Sequence, residues 1–374
     1  LVTAGLGGNL AAIVPVPGAT NAVSDDPTAE GLATEGNESE YGEAWFEGTG
    51  DRSLRLYEMA VPFNASMALA RGRFDLSTLW ASNRADTPAN DVFHAWGFTD
   101  VHVRYTQPLG TSGVSLTLGG AFPTRDVHGV DDDIRRIPIA PDMLPSAMYR
   151  RRSAPAVSGG LYFTRPTGDW TWGAAAGAEW NASFDELAPS LHTIAVAPGM
   201  RWRLRGDAVR PLGVGRVALG TSWMGLSPAT RGSATIRGGD RILGRASYAV
   251  PVGIFDVEMG GWVLRTARVT YNSDLSFPTA LRHASTMSAG FVSARSHAGA
   301  WTFDTNVELK RWEAGAGKVA DLIVPQLNAA HPLRRGFAFD LGADYVSGHF
   351  HEAPSSRDIP VRGWMLHAGF RLEP

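Results

Sequence analysis

The sequence contains no cysteine among its 374 residues. Without a thiol, a disulfide framework, a cysteine-ligated zinc site and a thiol enzyme are all excluded. A basic excess is also missing, because 34 Lys and Arg face 37 Asp and Glu and leave a net charge of −3. Nucleic acid, which usually selects a basic surface, is therefore not an expected partner.

Long hydrophobic runs are missing as well. No stretch reaches the roughly 18 apolar residues of a membrane-spanning helix. Because the chain opens at Leu1 without a basic region, we expect that any signal peptide has already been removed. A membrane location stays open, because the strands of a transmembrane barrel need only about 9–11 residues and bury one face in lipid.

What the sequence does have is glycine (43), tryptophan (12) and a repeating alternation of large apolar with small or polar residues. The segment 301–312 (WTFDTNVELKRW) is the clearest case. Trp301, Phe303 and Val307 fall on one face, whereas Asp304 and Glu308 fall on the other. A period of two predicts a β-strand whose two faces meet different surroundings.

Fourteen segments of this kind follow one another from about residue 53. They are 53–69, 72–82, 99–107, 113–122, 156–165, 169–181, 194–205, 213–226, 241–250, 253–266, 285–296, 299–312, 335–347 and 361–372. The prediction is an all-β fold, an antiparallel up-and-down transmembrane β-barrel of about 14 strands (12–16) over 51–374. Residues 1–50 are predicted to be an N-terminal segment that plugs the barrel, lies on its surface or is only partly ordered.

The connections support this prediction, because tight turns alternate with long loops as they do in outer-membrane barrels. The long connections are predicted at 83–98, 123–155, 182–193, 227–240, 267–284 and 313–334, and a short turn is predicted at 206–212. The alternation is imperfect, which indicates a missed strand near 30–50 and a misread one near 313–334. The expected location is the outer membrane of a Gram-negative cell, with lipid and lipopolysaccharide as partners.

Aromatic residues near the strand ends, Trp301 and Trp312 among them, suggest the two interfacial girdles of a lipid-facing band. The small or polar face would then line a lumen. Its candidate lumen-lining residues are Glu179, Arg201, Arg203, Arg205, Asp256, Glu258, Asp304, Glu308, Lys310, Asp340 and Asp344. A large soluble β protein remains the alternative, although lysine is scarcer than such a surface would require.

Residues 97–124 carry the pattern GFTDVHVRYTQPL followed by VSLTLGGAFPT. This pattern resembles a signature of the phenol-degradation (MetA-pathway) transporter-like family of outer-membrane proteins and, more distantly, the FadL-type channels. Gly97, Asp100, Pro123 and Thr124 match the signature, whereas Arg125 stands where the family has glycine. The resemblance covers about 70 residues and implies a channel for hydrophobic compounds.

The leading functional hypothesis is therefore passive passage of small molecules, hydrophobic or aromatic ones among them. A structural or surface-interaction barrel without conductance is the second hypothesis. A hydrolase at the barrel rim is the third, but no G-x-S-x-G nucleophile motif is present, so no enzyme activity is expected. The sequence implies no cofactor and leaves the solute and the oligomeric state open.

Three smaller clusters have two interpretations each. Asp131–Asp133 could bind Ca²⁺, and His349, His351 and Glu352 could hold a transition metal, but solvated loops account for both. The Arg201, Arg203 and Arg205 ladder could favour anions in a channel, or could pair with Glu179 and other acidic neighbours.

Overall fold

The computed structural model describes most of the chain beyond residue 54 and two pieces before it. The described residues are 2–5, 41–48, 55–69, 71–86, 92–98, 100–110, 113–124, 154–187, 193–268, 270–271, 284–315, 317–334, 337–352 and 357–372. The predicted Ca²⁺ site at Asp131–Asp133 lies outside these ranges, as does most of 1–50. Within them, no helix is long and apolar enough to cross a membrane.

Strands fill nearly all of the described chain, as the period-two alternation predicts. In chain order they are β1 (Val2–Gly5), β2 (Tyr41–Gly48), β3 (Arg55–Leu69), β4 (Gly72–Asp86), β5 (Val92–Phe98), β6 (Val101–Pro108), β7 (Val114–Phe122), β8 (Ala156–Thr167), β9 (Trp170–Asn181), β10 (Phe184–Leu187), β11 (Thr193–Ala197), β12 (Arg201–Leu212), β13 (Gly215–Leu226), β14 (Ala229–Arg231), β15 (Ala234–Arg237), β16 (Arg241–Val252), β17 (Phe255–Thr266), β18 (Thr270–Tyr271), β19 (Ser285–Ala298), β20 (Trp301–Ala314), β21 (Gly317–Arg334), β22 (Phe337–Glu352) and β23 (Arg357–Leu372).

Eighteen of these strands form one sheet with antiparallel neighbours. Pairing runs from β3 through β4, β6, β7, β8, β9, β12, β13, β16, β17, β19, β20, β21 and β22 to β23. β2 then pairs with both β23 and β3, so the ring of hydrogen-bonded neighbours closes. A closed ring leaves no edge whose backbone groups would have to face lipid. The predicted antiparallel barrel is confirmed.

Two positions in the ring are each filled by two strands placed end to end. β1 and β2 both pair with β3, at 64–67 and 55–60 respectively. β5 and β6 both pair with β4, at 80–86 and 73–77 respectively. The 18 strands therefore occupy 16 positions, the upper end of the predicted range.

The sheet contains four strands that the fourteen predicted segments omit, β1, β2, β5 and β21. β21 occupies the connection predicted at 313–334, β5 lies within the connection predicted at 83–98, and β2 lies where the uneven count indicated a missing strand. β1 and β2 belong to the sheet although the predicted division began the barrel at residue 51. Whether the rest of 1–50 plugs the barrel stays a prediction, because those residues lie outside the described ones.

Tight turns define one end of the barrel, called here the short-turn end. Gly168, Gly213, Gly253 and Gly299 each open a two-residue turn with φ between 58° and 63°. Glycine adopts this left-handed conformation without a Cβ penalty. The turn predicted at 206–212 is wrong, because β12 continues to Leu212 and the chain reverses only at Gly213.

The opposite end, called here the long-connection end, carries a second sheet. β10, β11, β14, β15 and β18 form this five-stranded sheet from the connections that follow β9, β13 and β17. The backbones approach closely where it joins the barrel: a Cβ at Gly199 would overlap the Ser227 carbonyl oxygen, and one at Gly239 the Ala267 carbonyl oxygen. Only glycine fits these two positions without a shift of the neighbouring strand.

Gly239→Ala should therefore lower the free energy of unfolding by about 1–2 kcal/mol, because the added methyl group overpacks a backbone contact. The measurement is denaturant unfolding of the refolded protein in detergent. Gly244→Ala is the matched control on β16, since a Cβ there meets no atom within 4 Å. An equal loss in both variants would show that the close approach at Gly239 has no energetic consequence.

Candidate functional site

The two faces of the barrel wall differ in chemistry. On β12, Trp202 and Leu204 are exposed, whereas Arg203 between them is only 7 % exposed. The exposed face carries large apolar side chains around the ring, including Leu118, Leu161, Trp180, Leu219, Met259, Val292, Val307 and Leu341. An apolar outer band is what a membrane-spanning barrel presents to lipid. The other face, which holds the buried charges, is the inner face.

All eleven predicted lumen-lining residues lie on the inner face. Glu179 pairs across strands with Arg201, and Arg203 and Arg205 follow at alternate positions of β12. From Arg205, inner-face pairing runs through Ser222 on β13 and Leu243 on β16 to the strands beyond. On those strands the same face holds the other seven, Asp256, Glu258, Asp304, Glu308, Lys310, Asp340 and Asp344.

Ion pairs connect many of these residues. Arg201 Nη1 lies 3.5 Å from Glu179 Oε1, and Lys310 Nζ lies 3.1 Å from Glu308 Oε2. Arg295 Nε donates to Asp304 Oδ1 at 2.6 Å. Charge pairing, one of the two interpretations of the arginine ladder, therefore applies to Arg201.

Arg205, Asp207 and Arg245 form a triad across three strands. Arg205 Nε and Nη2 donate to Asp207 at 2.6 and 3.0 Å, and Arg245 Nη2 donates to the same carboxylate at 3.3 Å. Asp207 and Arg245 are separated by β13, where Gly220 stands between them. A Cβ at Gly220 would lie 2.6 Å from Arg245 Nε and 2.9 Å from Asp207 Oδ1, so the contact needs glycine there.

A second cluster was not among the predicted site residues. Asp75 on β4 accepts hydrogen bonds from Arg73 Nε at 2.6 Å and from Arg104 Nη2 at 3.3 Å. Asp75 and Arg104 are both buried. The sequence shows Arg73 and Asp75 at alternate positions, and hence on one face of a strand. Only the pairing of β4 with β6 places Arg104 opposite Asp75.

The inner face also has an apolar zone near the long-connection end. Leu243, Leu264, Met287, Trp312 and Ala320 pair directly from strand to strand over β16, β17, β19, β20 and β21. Leu322, Val324 and Val346, all buried, lie next to them toward the short-turn end. Trp312 is 6 % exposed and faces inward, so its predicted place in the outer aromatic girdle is wrong.

A polar zone lies next to the apolar zone, on the side of the short-turn end. Glu258, Ser293, Asn306, Gln326 and Asp344 form a directly paired row over β17, β19, β20, β21 and β22. Asn306 Nδ2 donates to Gln326 Oε1 at 2.8 Å within this row. Along the barrel axis, the inner face of these strands is thus apolar near the long-connection end and polar toward the short-turn end, with the Glu308–Lys310 ion pair lying within the apolar part opposite Val324 and Leu322.

Across β7, β8 and β9 the inner face carries mostly small side chains instead, with Tyr162 and Glu179 as larger exceptions. This small-residue wall consists of Thr117, Gly119, Ala121, Ala156, Ser158, Gly160, Gly173, Ala175 and Gly177. Small side chains extend little into the interior, so the wall itself fills little of the lumen where these residues lie.

The family-like pattern at 97–124 gathers at one place in the fold. Val101 pairs with Phe122, which brings the start of β6 close to Pro123. Thr124 Oγ1 donates to the Phe98 carbonyl at 2.8 Å, and Asp100 is 1 % exposed. These contacts hold together the end of the β6–β7 strand pair. The pattern does not contribute to the apolar zone.

The predicted histidine cluster lies on the outer face at the long-connection end. His351 Nε2 is 3.5 Å from Asp321 Oδ2, and Asp321 pairs across strands with His349. In the part of the chain that the structure describes, no group of three His, Asp or Glu side chains could hold a metal ion.

No protein-family model matches the sequence, and no curated protein matches it. Several solved outer-membrane proteins are similar in structure. A loop-deletion mutant of OmpT, an outer membrane protein of Vibrio cholerae, is 9 % identical with a TM-score of 0.43 over 88 % of this chain and 97 % of that one. A triple mutant of the Rhodopseudomonas blastica porin is 11 % identical with a TM-score of 0.38, over 88 % and 98 % of the two chains. OccAB2 of Acinetobacter baumannii is 9 % identical with a TM-score of 0.39, over 88 % and 95 %.

Likeness at this level does not bear on what passes through this protein or binds to it. The assignment rests on the chain itself, on a closed antiparallel ring, an apolar outer face and an inner face with ion-paired charges. Lipid offers no partner for backbone groups, and a closed ring with this polarity satisfies that requirement. The chain is a β-barrel of the outer-membrane type.

Proposed function

We propose that this barrel is a passive channel of a Gram-negative outer membrane for small molecules, hydrophobic or aromatic ones among them. The observation that carries the proposal is the apolar zone on the inner face. A water-filled pore is lined by polar side chains. An inward row of leucine, methionine and tryptophan instead offers a surface on which an apolar solute can lose its hydration.

The rest of the inner face is consistent with the passage of a small molecule through the barrel. The small-residue wall lies on another side of the ring from the apolar zone, and a ring of 16 strand positions encloses more volume than side chains alone fill. Passive passage needs no cofactor, and the proposal assigns no catalytic step to any residue.

Single-channel recording in planar bilayers tests the proposal. We expect stepwise conductance, with current block by phenyl β-glucoside at about tenfold lower concentration than by methyl β-glucoside. Burying roughly 60 Å² of phenyl surface contributes about 1.5 kcal/mol, which gives that ratio. These two sugars differ only in the apolar group and both cross lipid slowly, so the lipid itself does not obscure the comparison.

Absence of current steps, together with absence of liposome swelling in methyl β-glucoside, would favour the second candidate, a structural barrel that does not conduct. Equal block by the two glucosides with intact conductance would keep the channel and refute its preference for apolar solutes. Protein that stays monodisperse without detergent would refute the membrane location.

A further inference from the structure

One end of the apolar zone adjoins the Arg205, Asp207 and Arg245 triad. Leu243 precedes Arg245 by two residues on β16, so the two side chains share the inner face at a spacing of about 6.6 Å. On β17, Leu264 pairs with Leu243 and Trp262 pairs with Arg245. The result is a block of four inner-face side chains, here called the mixed block, with one cation, one indole and two leucines.

The triad gives the mixed block a positive sign. Two guanidinium groups share the single carboxylate of Asp207, so the triad itself carries one net positive charge. Arg245 is its more accessible cation, with 29 % of its side chain exposed against 10 % for Arg205. A guanidinium in a partly desolvated site binds carboxylate, sulfonate and phosphate groups more strongly than it does in water.

The indole of Trp262 has a fixed orientation. Its Nε1 donates to Glu308 Oε1 at 2.8 Å, and the other oxygen of that carboxylate lies 3.1 Å from Lys310 Nζ. Because Lys310 balances Glu308, this neighbouring carboxylate opposes an incoming anion less than a lone one would. The ring is left as a rigid apolar surface next to Arg245.

We propose that the mixed block is a binding site for small amphipathic anions, with the anionic group at Arg245 and the apolar body against Leu243, Leu264 and Trp262. The inference rests on the proposed channel function and names its substrate class. A monocyclic aromatic acid matches the block in chemistry, because its anionic group can contact Arg245 while its ring contacts the adjoining Trp262 and Leu243. A simple inorganic anion would use only Arg245, and a neutral aromatic compound only the apolar side chains.

The test compares benzenesulfonate with methanesulfonate and phenyl β-glucoside as blockers of the single-channel current. Benzenesulfonate stays ionised at all working pH values, so it does not leak through lipid as a neutral acid. We expect half-block by benzenesulfonate at least about tenfold below that of either comparison solute in the wild-type protein, since each of them lacks one of the two contacts. This comparison needs no variant.

Arg245→Gln should raise the half-blocking concentration of benzenesulfonate about tenfold and leave that of phenyl β-glucoside within a factor of about two. Arg295→Gln is the matched control, because Arg295 is also an ion-paired inner-face arginine, 22 % exposed, but lies in the polar half of the wall beside Asp304. It should shift benzenesulfonate block by less than about twofold. Heat-modifiable mobility on gels verifies that each variant is folded.

Three outcomes would overturn the inference while the channel stands. They are equal block by benzenesulfonate and phenyl β-glucoside, equal block by benzenesulfonate and methanesulfonate, and equal effects of the Arg245 and Arg295 substitutions. A protein without any current steps would instead overturn the channel function on which the inference depends.

Discussion

Val307→Arg should lower the free energy of unfolding by about 2–4 kcal/mol, the cost of placing a guanidinium at the middle of a lipid-facing band. Val307 lies on the outer face of β20 and is 44 % exposed. Along the same face, Trp301 stands at the short-turn end and the ion-paired Arg311 at the other. Val307 is close to the midpoint between them, where the band is most apolar.

The measurement is reversible denaturant unfolding in phospholipid vesicles. Val252→Arg provides the matched control, because Val252 is equally an outer-face valine, 54 % exposed, but lies beside the Gly253 turn. Its arginine can reach water, so we expect a loss of about 0–1 kcal/mol. Equal costs at the two depths would contradict the lipid-facing assignment of this face, and the barrel would then have to be a soluble one.

Asp207→Asn should lower the free energy of unfolding by about 2–3 kcal/mol. The substitution leaves Arg205 and Arg245 close together on the inner face without the carboxylate they share. Losing one partner of a fully buried ion pair costs about 3–5 kcal/mol, and the partial exposure of these side chains reduces that figure through solvent screening.

A double-mutant cycle tests whether the loss of stability arises because two arginines share one carboxylate. In the Arg245→Gln background, Asp207→Asn should cost about 1–2 kcal/mol less, because only Arg205 then loses its partner. Asp169→Asn is the control, since Asp169 also faces an arginine, Arg210 at 3.6 Å, but is 74 % exposed. We expect a change within about 0.5 kcal/mol there. Strict additivity of the Asp207 and Arg245 substitutions would mean that the contact across Gly220 contributes nothing.

The alternation of side chains made the fold predictable wherever the two faces differ in polarity. β20 is such a strand, with Val307 and Leu309 on one face and Asn306 and Glu308 on the other. β21 was missed for the opposite reason. Its inner residues Leu322 and Val324 are as apolar as its outer residue Ile323, so no period of two remains there.

The same argument explains which parts of the site could be predicted. Charged residues at alternate positions identified the inner face of β12, β17, β20 and β22. The apolar zone could not be found this way, because an inward Trp312 and an outward Trp301 look alike in a sequence. The triad depends on Gly220 between two strands, a relation that only the pairing register of three strands reveals.

The side chains that line the interior of this barrel differ in polarity and size from one side of the ring to another. Near the long-connection end, leucine, methionine and tryptophan line the side formed by β16 to β21, whereas mostly glycine, alanine, serine and threonine line the side formed by β7 to β9. A molecule with one apolar side and one polar side would therefore be held in one orientation, with each side facing the part of the wall that has the same polarity. In a channel of the proposed kind, such orientation would distinguish positional isomers of equal size, which a uniformly lined pore would admit alike.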